Sequence, residues 1–242
     1  RLQGDWSSDV CSSDLWSANA IADARQEPVI AQPVREPLLA PLFAERLRRL
    51  QPHAARIEST LDAAMQQMVE QVLATRLGIL PPRVSMAALV IDNETLEVRA
   101  YAGSADFSDS ERFAHVDMVQ AARSPGSALK PFLYGLALDE GLIHSESLLA
   151  DVPQSFAGYQ PGNFQASFSG PVGVSEALQR SLNVPAVEVL ERLGPQRFVA
   201  LLRRGGLRLD LPPGATANLS VILGGAAVNL ESLVGAYSAL AR

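Results

Sequence analysis

Ser127 and Lys130 are the residues of this 242-residue chain whose types and spacing could make a nucleophile. They stand in the stretch Arg123-Ser124-Pro125-Gly126-Ser127-Ala128-Leu129-Lys130-Pro131-Phe132. A serine hydroxyl attacks a carbonyl only once a base takes its proton. A desolvated lysine amine can be that base, because burial lowers its pKa, whereas arginine stays protonated. Lys130 is the single lysine among 20 basic residues, so a deprotonatable amine occurs once and follows a serine by three positions. Pro125-Gly126 marks a turn, and the apolar pattern beyond it predicts a helix beginning near Ser127. Pro131 fits cheaply only near a first helical turn. Residues three apart share a helical face, and the positive mouth of a helix favours a developing alkoxide. The bland alternative, a surface lysine that happens to follow a serine, accounts for the spacing, which is weak by itself, but not for the helix placement, Pro131 and the single lysine together.

A second pair is Ser181 and Asn183 in Ser181-Leu182-Asn183, between a helix ending near Arg180 and another entered at Pro185. In an extended loop, side chains two apart point the same way, so a hydroxyl and a carboxamide could converge on one cleft. Asn183 could equally be a simple helix cap. Alone, the tripeptide decides nothing.

The elements that must position these groups are partly legible. Residues 16–52 are proline-rich, with Pro28, Pro33, Pro37 and Pro41, and read as a linker followed by a short helix over Phe43–Leu50. A helix is expected from Leu61 to Leu77, with Met65, Met68, Val72 and Leu73 as its core-facing residues. Met86–Ile91 and Leu96–Tyr101, joined by Asp92-Asn93-Glu94-Thr95, give a β-hairpin signal. Further helices are expected over 128–139, 174–180, 185–193, 196–204 and 229–241. Two strands are too few for an independent sheet, so the α+β pattern reads as unfinished. Gly224-Gly225 is expected to permit close backbone packing or a turn.

Whole-chain properties exclude several classes. The net charge of -6 argues against nucleic acid as a partner. His53, His115 and His144 are too scattered to form a site, and Asp106, Asp109 and Glu111 read as a polar loop. No apolar run approaches the ~20 residues of a membrane span. Residues 1–15 show no helix or strand period, and Asp5–Leu15 matches the conceptual translation of a sequencing-library adapter. Cys11, the one cysteine, falls inside that stretch, which leaves no thiol for catalysis, disulfides or metal binding.

Together the two pairs resemble the serine-x-x-lysine and serine-x-asparagine motifs of the penicillin-recognising serine enzymes. Arg123–Leu142, Pro161-Gly162-Asn163-Phe164, Ser175–Val187 and Asn218–Arg242 extend the likeness to a class A penicillin-binding protein of the 1C type. The resemblance implies an α+β transpeptidase fold related to the serine β-lactamases. It also implies a division into the tail of a glycosyltransferase domain and linker over 16–52, and the first part of a transpeptidase domain over 53–242. Implied catalytic residues are Ser127 as nucleophile, Lys130 as base, Ser181 as proton relay and Asn183 as holder of the substrate amide, with no metal or organic cofactor. The implied partners are peptidoglycan stem peptides ending in D-Ala-D-Ala, and β-lactams. The implied place is the periplasmic face of the inner membrane, through an anchor outside these residues. The family's third motif, lysine-threonine-glycine, cannot be present in a chain with one lysine. The expectation is therefore an incomplete fold, with C-terminal strands missing, and an inactive piece. A carboxypeptidase or β-lactamase-type hydrolase, or a non-catalytic binding or sensor module of the same fold, would share the first two motifs.

Overall fold

The computed structural model describes Leu38–Arg242 apart from Ala157 and Ala166, together with Ser17, Asn19, Ala22, Asp23 and Gln26. The chain divides into two units, Arg1–Leu38 and Leu39–Arg242, and every element below belongs to the second. The adapter-like stretch at 1–15 lies outside the described residues. Residues 39–52, placed with the linker on sequence grounds, lie within the second unit.

Helix α1 (Pro41–Leu50) starts at a proline, whose missing N–H is no loss in a first turn, and ends on Arg48 and Arg49 against the negative helix end. Helix α2 (Ala63–Leu77) is capped by Asp62, which accepts from the Met65 N–H at 2.7 Å. The expected methionine face of α2 is corrected by the structure. Met68 and Val72 are 60% and 52% exposed, while Gln66 and Leu73 are buried, with Val69 and Leu77 packed alongside.

The reason is a backbone that needs partners. Strands β1 (Ala88–Ile91) and β2 (Val98–Ala102) pair antiparallel, with an irregularity between Val90 and Ile91. Leu96, read as a strand residue, instead sits in the turn with φ 60°, and the Asp92 side chain accepts from the N–H groups of Glu94 and Thr95. Beside β2 runs the start of α2. Gln66 Oε1 accepts from the Tyr101 N–H at 2.7 Å, and Gln66 Nε2 donates to the Tyr101 carbonyl at 3.0 Å. The Asp62 N–H donates to the Arg99 carbonyl at 2.9 Å. A buried carboxamide thus substitutes for a neighbouring strand, which a methionine could not do.

Helix α3 (Lys130–Asp139) follows a 3-10 turn over Gly126–Leu129. Two strands not anticipated from sequence, β3 (Leu148–Asp151) and β4 (Gly170–Gly173), pair antiparallel and hold the intervening loop between their ends. Helices α4 (Val174–Gln179), α5 (Asn183–Leu193) and α6 (Pro195–Arg204) follow, and α7 (Leu230–Ala241) comes last. The main core centres on α5, where Val184, Ala186, Val187, Val189 and Leu190 have no exposed surface. Helices α3 and α6 pack against it. At the ends of the unit, Arg46 of α1 forms an ion pair with Glu231 of α7 at 2.9 Å, which Gln120 also reaches. Among the described residues the fold is α+β, with two small two-stranded sheets, and no helix is long and apolar enough to cross a membrane.

Replacing Gln66 with leucine keeps bulk and removes both bonds to Tyr101. An unpaired buried backbone pair costs about 1–3 kcal/mol, and each kcal/mol shifts the melting temperature by roughly 2–4 °C in a chain of this size. A fall of several degrees is expected by calorimetry, whereas Met68→Ala leaves the melt nearly unchanged.

Candidate active site

Ser127 is positioned by a turn that distant residues clamp. Arg123 and Val228 exchange two backbone hydrogen bonds at 2.9 Å each, and Ser124 Oγ donates to the Gly224 carbonyl at 2.9 Å. Gly224 has φ 102°, and a side chain there would overlap Ser124 Oγ, so this crossing requires glycine. On the other side, Tyr237 of α7 donates its hydroxyl to the Ala128 carbonyl at 2.8 Å, and its ring meets Phe132 edge-on at 4.9 Å. The Lys130 N–H donates to the Ser127 carbonyl, closing the 3-10 turn from which α3 grows. Ser127 itself is exposed.

Lys130 is 1% exposed, between the buried Leu129 and Leu133. Its Nζ donates to the Ser181 carbonyl at 2.6 Å, to Asn183 Oδ1 at 2.8 Å and to Ser181 Oγ at 3.2 Å. Sequence spacing led us to expect the lysine beside Ser127. Instead its three hydrogen bonds run to the Ser181–Asn183 segment, 51 to 53 residues away, and the Ser127 hydroxyl makes no hydrogen bond among the described residues. No carboxylate pairs with the Lys130 amine among the described residues. A buried cation without a counterion is costly, and burial pulls the Lys130 amine down from 10.5 to about 8. That raises the free-amine fraction at neutral pH roughly three-hundredfold over an ordinary lysine.

An ammonium has three protons to donate, and three oxygens are in place to take them. The free amine has only two, plus a lone pair. The longest of the three contacts ends on the Ser181 hydroxyl, which can turn and donate to that lone pair. Proton exchange between Lys130 and Ser181 therefore requires a hydroxyl rotation and no larger movement.

Asn183 is not the helix cap that its type allowed. It occupies the first position of α5, and Leu182 before it makes no side-chain cap. The Asn183 carboxamide instead bridges two elements, accepting from Lys130 and donating through Nδ2 to the Gly162 carbonyl at 2.7 Å. Ser181 has φ 53°, a left-handed conformation uncommon for a side-chain-bearing residue. Such strain recurs at functional sites. Here it turns both the carbonyl and the hydroxyl of Ser181 toward one ammonium.

The site thus brings Lys130, Ser181 and Asn183 into direct contact, with Ser127 one helical turn from Lys130. Asn163, Gly224 and Tyr237 also hold it together, and sequence reasoning gave them no role there. All three fall in segments that carry the family resemblance, Pro161–Phe164 and Asn218–Arg242, but local pattern marked only Gly224, as half of a glycine pair before the last helix. Among the described residues no cluster of acidic, histidine or cysteine side chains could hold a metal.

The family described as penicillin binding protein transpeptidase domain matches residues 86–242. Penicillin-binding protein 1C of Escherichia coli K12 is 52% identical over 228 residues, covering 94% of this chain and 30% of that protein. Penicillin-binding protein 1F of Bacillus subtilis is 32% identical over 192 residues, covering 76% of this chain and 25% of that protein. The structure of penicillin-binding protein PonA1 from Mycobacterium tuberculosis superposes with a TM-score of 0.69 at 24% identity, covering 83% of this chain and 56% of that one. The chain thus spans less than a third of the length of the 1C and 1F proteins. With a family match over well over half its residues and half of its positions shared with the 1C protein, this chain belongs to the penicillin-binding protein transpeptidase family.

Proposed function

We propose that this chain carries the acyl-transfer half of a peptidoglycan transpeptidase site, within a bifunctional cell-wall polymerase. The observation that carries the reading is the Lys130 amine, buried with no counterion among the described residues and held by Ser181 and Asn183. Burial of that kind costs stability, and it makes the amine a base near neutral pH.

Ser127 Oγ attacks the carbonyl of the penultimate D-alanine of a peptide stem. Its proton passes to the free amine of Lys130 as the C–O bond forms. The Ser127 N–H, at the mouth of the turn, donates to the developing oxyanion, a type of contact worth about 3–4 kcal/mol in other acyl-transfer enzymes. As the C–N bond breaks, the Ser181 hydroxyl hands a proton to the departing D-alanine amine and is refilled from Lys130. An amine from a neighbouring stem then attacks the ester, its proton returns by the same route, and Ser127 is regenerated. On this reading Asn183 holds the substrate amide, with its Nδ2 exchanging the Gly162 carbonyl for that of the substrate. A β-lactam, whose ring carbonyl is a strained amide, acylates the same oxygen. No step calls for a metal or an organic cofactor.

The same reading assigns residues 53–242 to the first part of the transpeptidase domain and 16–52 to the end of a preceding glycosyltransferase domain with its linker. It places the protein on the periplasmic face of the inner membrane. The lysine-threonine-glycine motif that binds the substrate carboxylate in this family is not among these 242 residues.

Two measurements test the proposal. In the full-length protein, fluorescent penicillin forms a covalent adduct that Ser127→Ala abolishes; an adduct surviving that change would refute the nucleophile. The 242-residue chain by itself gives no stable adduct, and one found on Ser127 would show that the third motif is dispensable.

The buried amine also fixes a dependence of stability on pH. The folded-state pKa of Lys130 lies below its unfolded value, so the unfolded chain binds the extra proton between pH 8 and 10.5 and stability rises through that window. The difference in melting temperature between wild type and Lys130→Met is expected to move in favour of wild type as pH rises from 7 to 10. A difference that stays flat would mean that the amine titrates as if exposed.

A further inference from the structure

Asn163 lies outside the two motifs, in the loop between β3 and β4, and its hydrogen bonds run directly into the site. Asn163 Oδ1 accepts from the Asn183 N–H at 2.9 Å. Asn163 Nδ2 donates to Asp151 Oδ1 at 2.7 Å and to the Ser167 carbonyl at 3.0 Å. Asp151, the last residue of β3, has no exposed surface, and its other oxygen accepts from the Ser169 N–H at 2.9 Å.

These contacts fix the carboxamide one way round. A carboxylate only accepts, so the NH2 of Asn163 must face Asp151, and its oxygen must then face Asn183. The start of α5 has no side-chain cap of its own. Asn163 supplies that acceptor from another loop, and the neighbouring Gly162 carbonyl receives the Asn183 carboxamide at 2.7 Å. Both ends of Asn183 are thus held by residues 162–163, which leaves Asn183 Oδ1 aimed at Lys130 Nζ.

We propose that Asn163 is a positioning residue for acyl transfer: locked by the buried Asp151 carboxylate, it sets the start of α5 and thereby the oxygens that Ser181 and Asn183 present to Lys130. The inference rests on the acyl-transfer reading of the site. It goes beyond that reading in assigning part of the site's geometry to the β3–β4 loop. Without Asn163 the Asn183 backbone loses its acceptor and residues 181–183 can relax out of the left-handed turn. Misplacement of reacting groups by about 1 Å costs on the order of a hundredfold in rate.

The test uses the full-length protein and the rate of acylation by fluorescent penicillin across pH, with folded protein quantified by circular dichroism. Asn163→Ala and Asp151→Asn are expected to slow acylation roughly ten- to hundredfold per folded molecule. Both are also expected to move the acid limb of the profile to lower pH, since a displaced Asn183 oxygen no longer steadies the ammonium. The groups facing Nζ are Ser181 and Asn183, and Asp151 is the carboxylate linked to them through Asn163. The paired exchange Asp151→Asn with Asn163→Asp recreates a donor facing an acceptor between these two positions and keeps an acceptor for the Asn183 N–H; although the Ser167 carbonyl loses its donor, the exchange is expected to recover several-fold over the poorer single variant. Single variants within twofold of wild type per folded molecule, an unmoved acid limb, or a double variant no better than the singles would each overturn the proposal. Retained labelling in Ser127→Ala would instead overturn the reading of the site itself, so the two failures are distinct.

Discussion

A positive charge on Lys130 sits where a folded protein tolerates it least. The Lys130 side chain is buried, and the compensation among the described residues is three neutral oxygens from Ser181 and Asn183. Neutral oxygens satisfy hydrogen bonds without supplying a counter-charge, so the ion stays expensive and the amine is drawn toward its free form. The proposed acyl transfer depends on leaving that cost partly uncompensated. A carboxylate beside Lys130 would steady the ammonium and remove the base.

Much of the remaining structure serves to keep this arrangement in place. The amine reaches its acceptors only because α3 and α5 cross in one core, and because Ser181 holds a left-handed turn between α4 and α5. The serine end is held by a separate set of contacts, from the Gly224 crossing to the Tyr237 hydroxyl. Those partners lie about a hundred residues further along the chain, so the turn bearing Ser127 is held by the C-terminal end of the unit. Glu231 of α7 extends the same tie to α1 through Arg46.

What could be read from the sequence was local. The serine, the lysine and the helix at Pro131 declare themselves within ten residues, since spacing, proline placement and the solitary lysine all act at short range. The helices from Val174 to Arg204 were placed to within about two residues for the same reason. What could not be read was tertiary. Strand β4 is Gly170-Pro171-Val172-Gly173, about as poor in strand-forming types as four residues can be, and it exists because β3 offers a partner. Met68 and Val72 carried the apolar pattern of α2, yet Gln66 took the buried slot because Tyr101 needed a donor and an acceptor there. The lysine's own partners, 51 and 53 residues away, and the bond from Asn163 to Asn183 likewise leave no mark on local pattern.

Because Lys130 is the only lysine of these 242 residues, the 242-residue chain labelled with 13C at lysine Cε gives one side-chain resonance, with no assignment needed. Titrating that resonance measures the amine directly. The burial of Lys130 predicts a midpoint near pH 8. A midpoint near 10.5, the value of a lysine in water, would contradict a buried base and remove the physical ground for acyl transfer at this site.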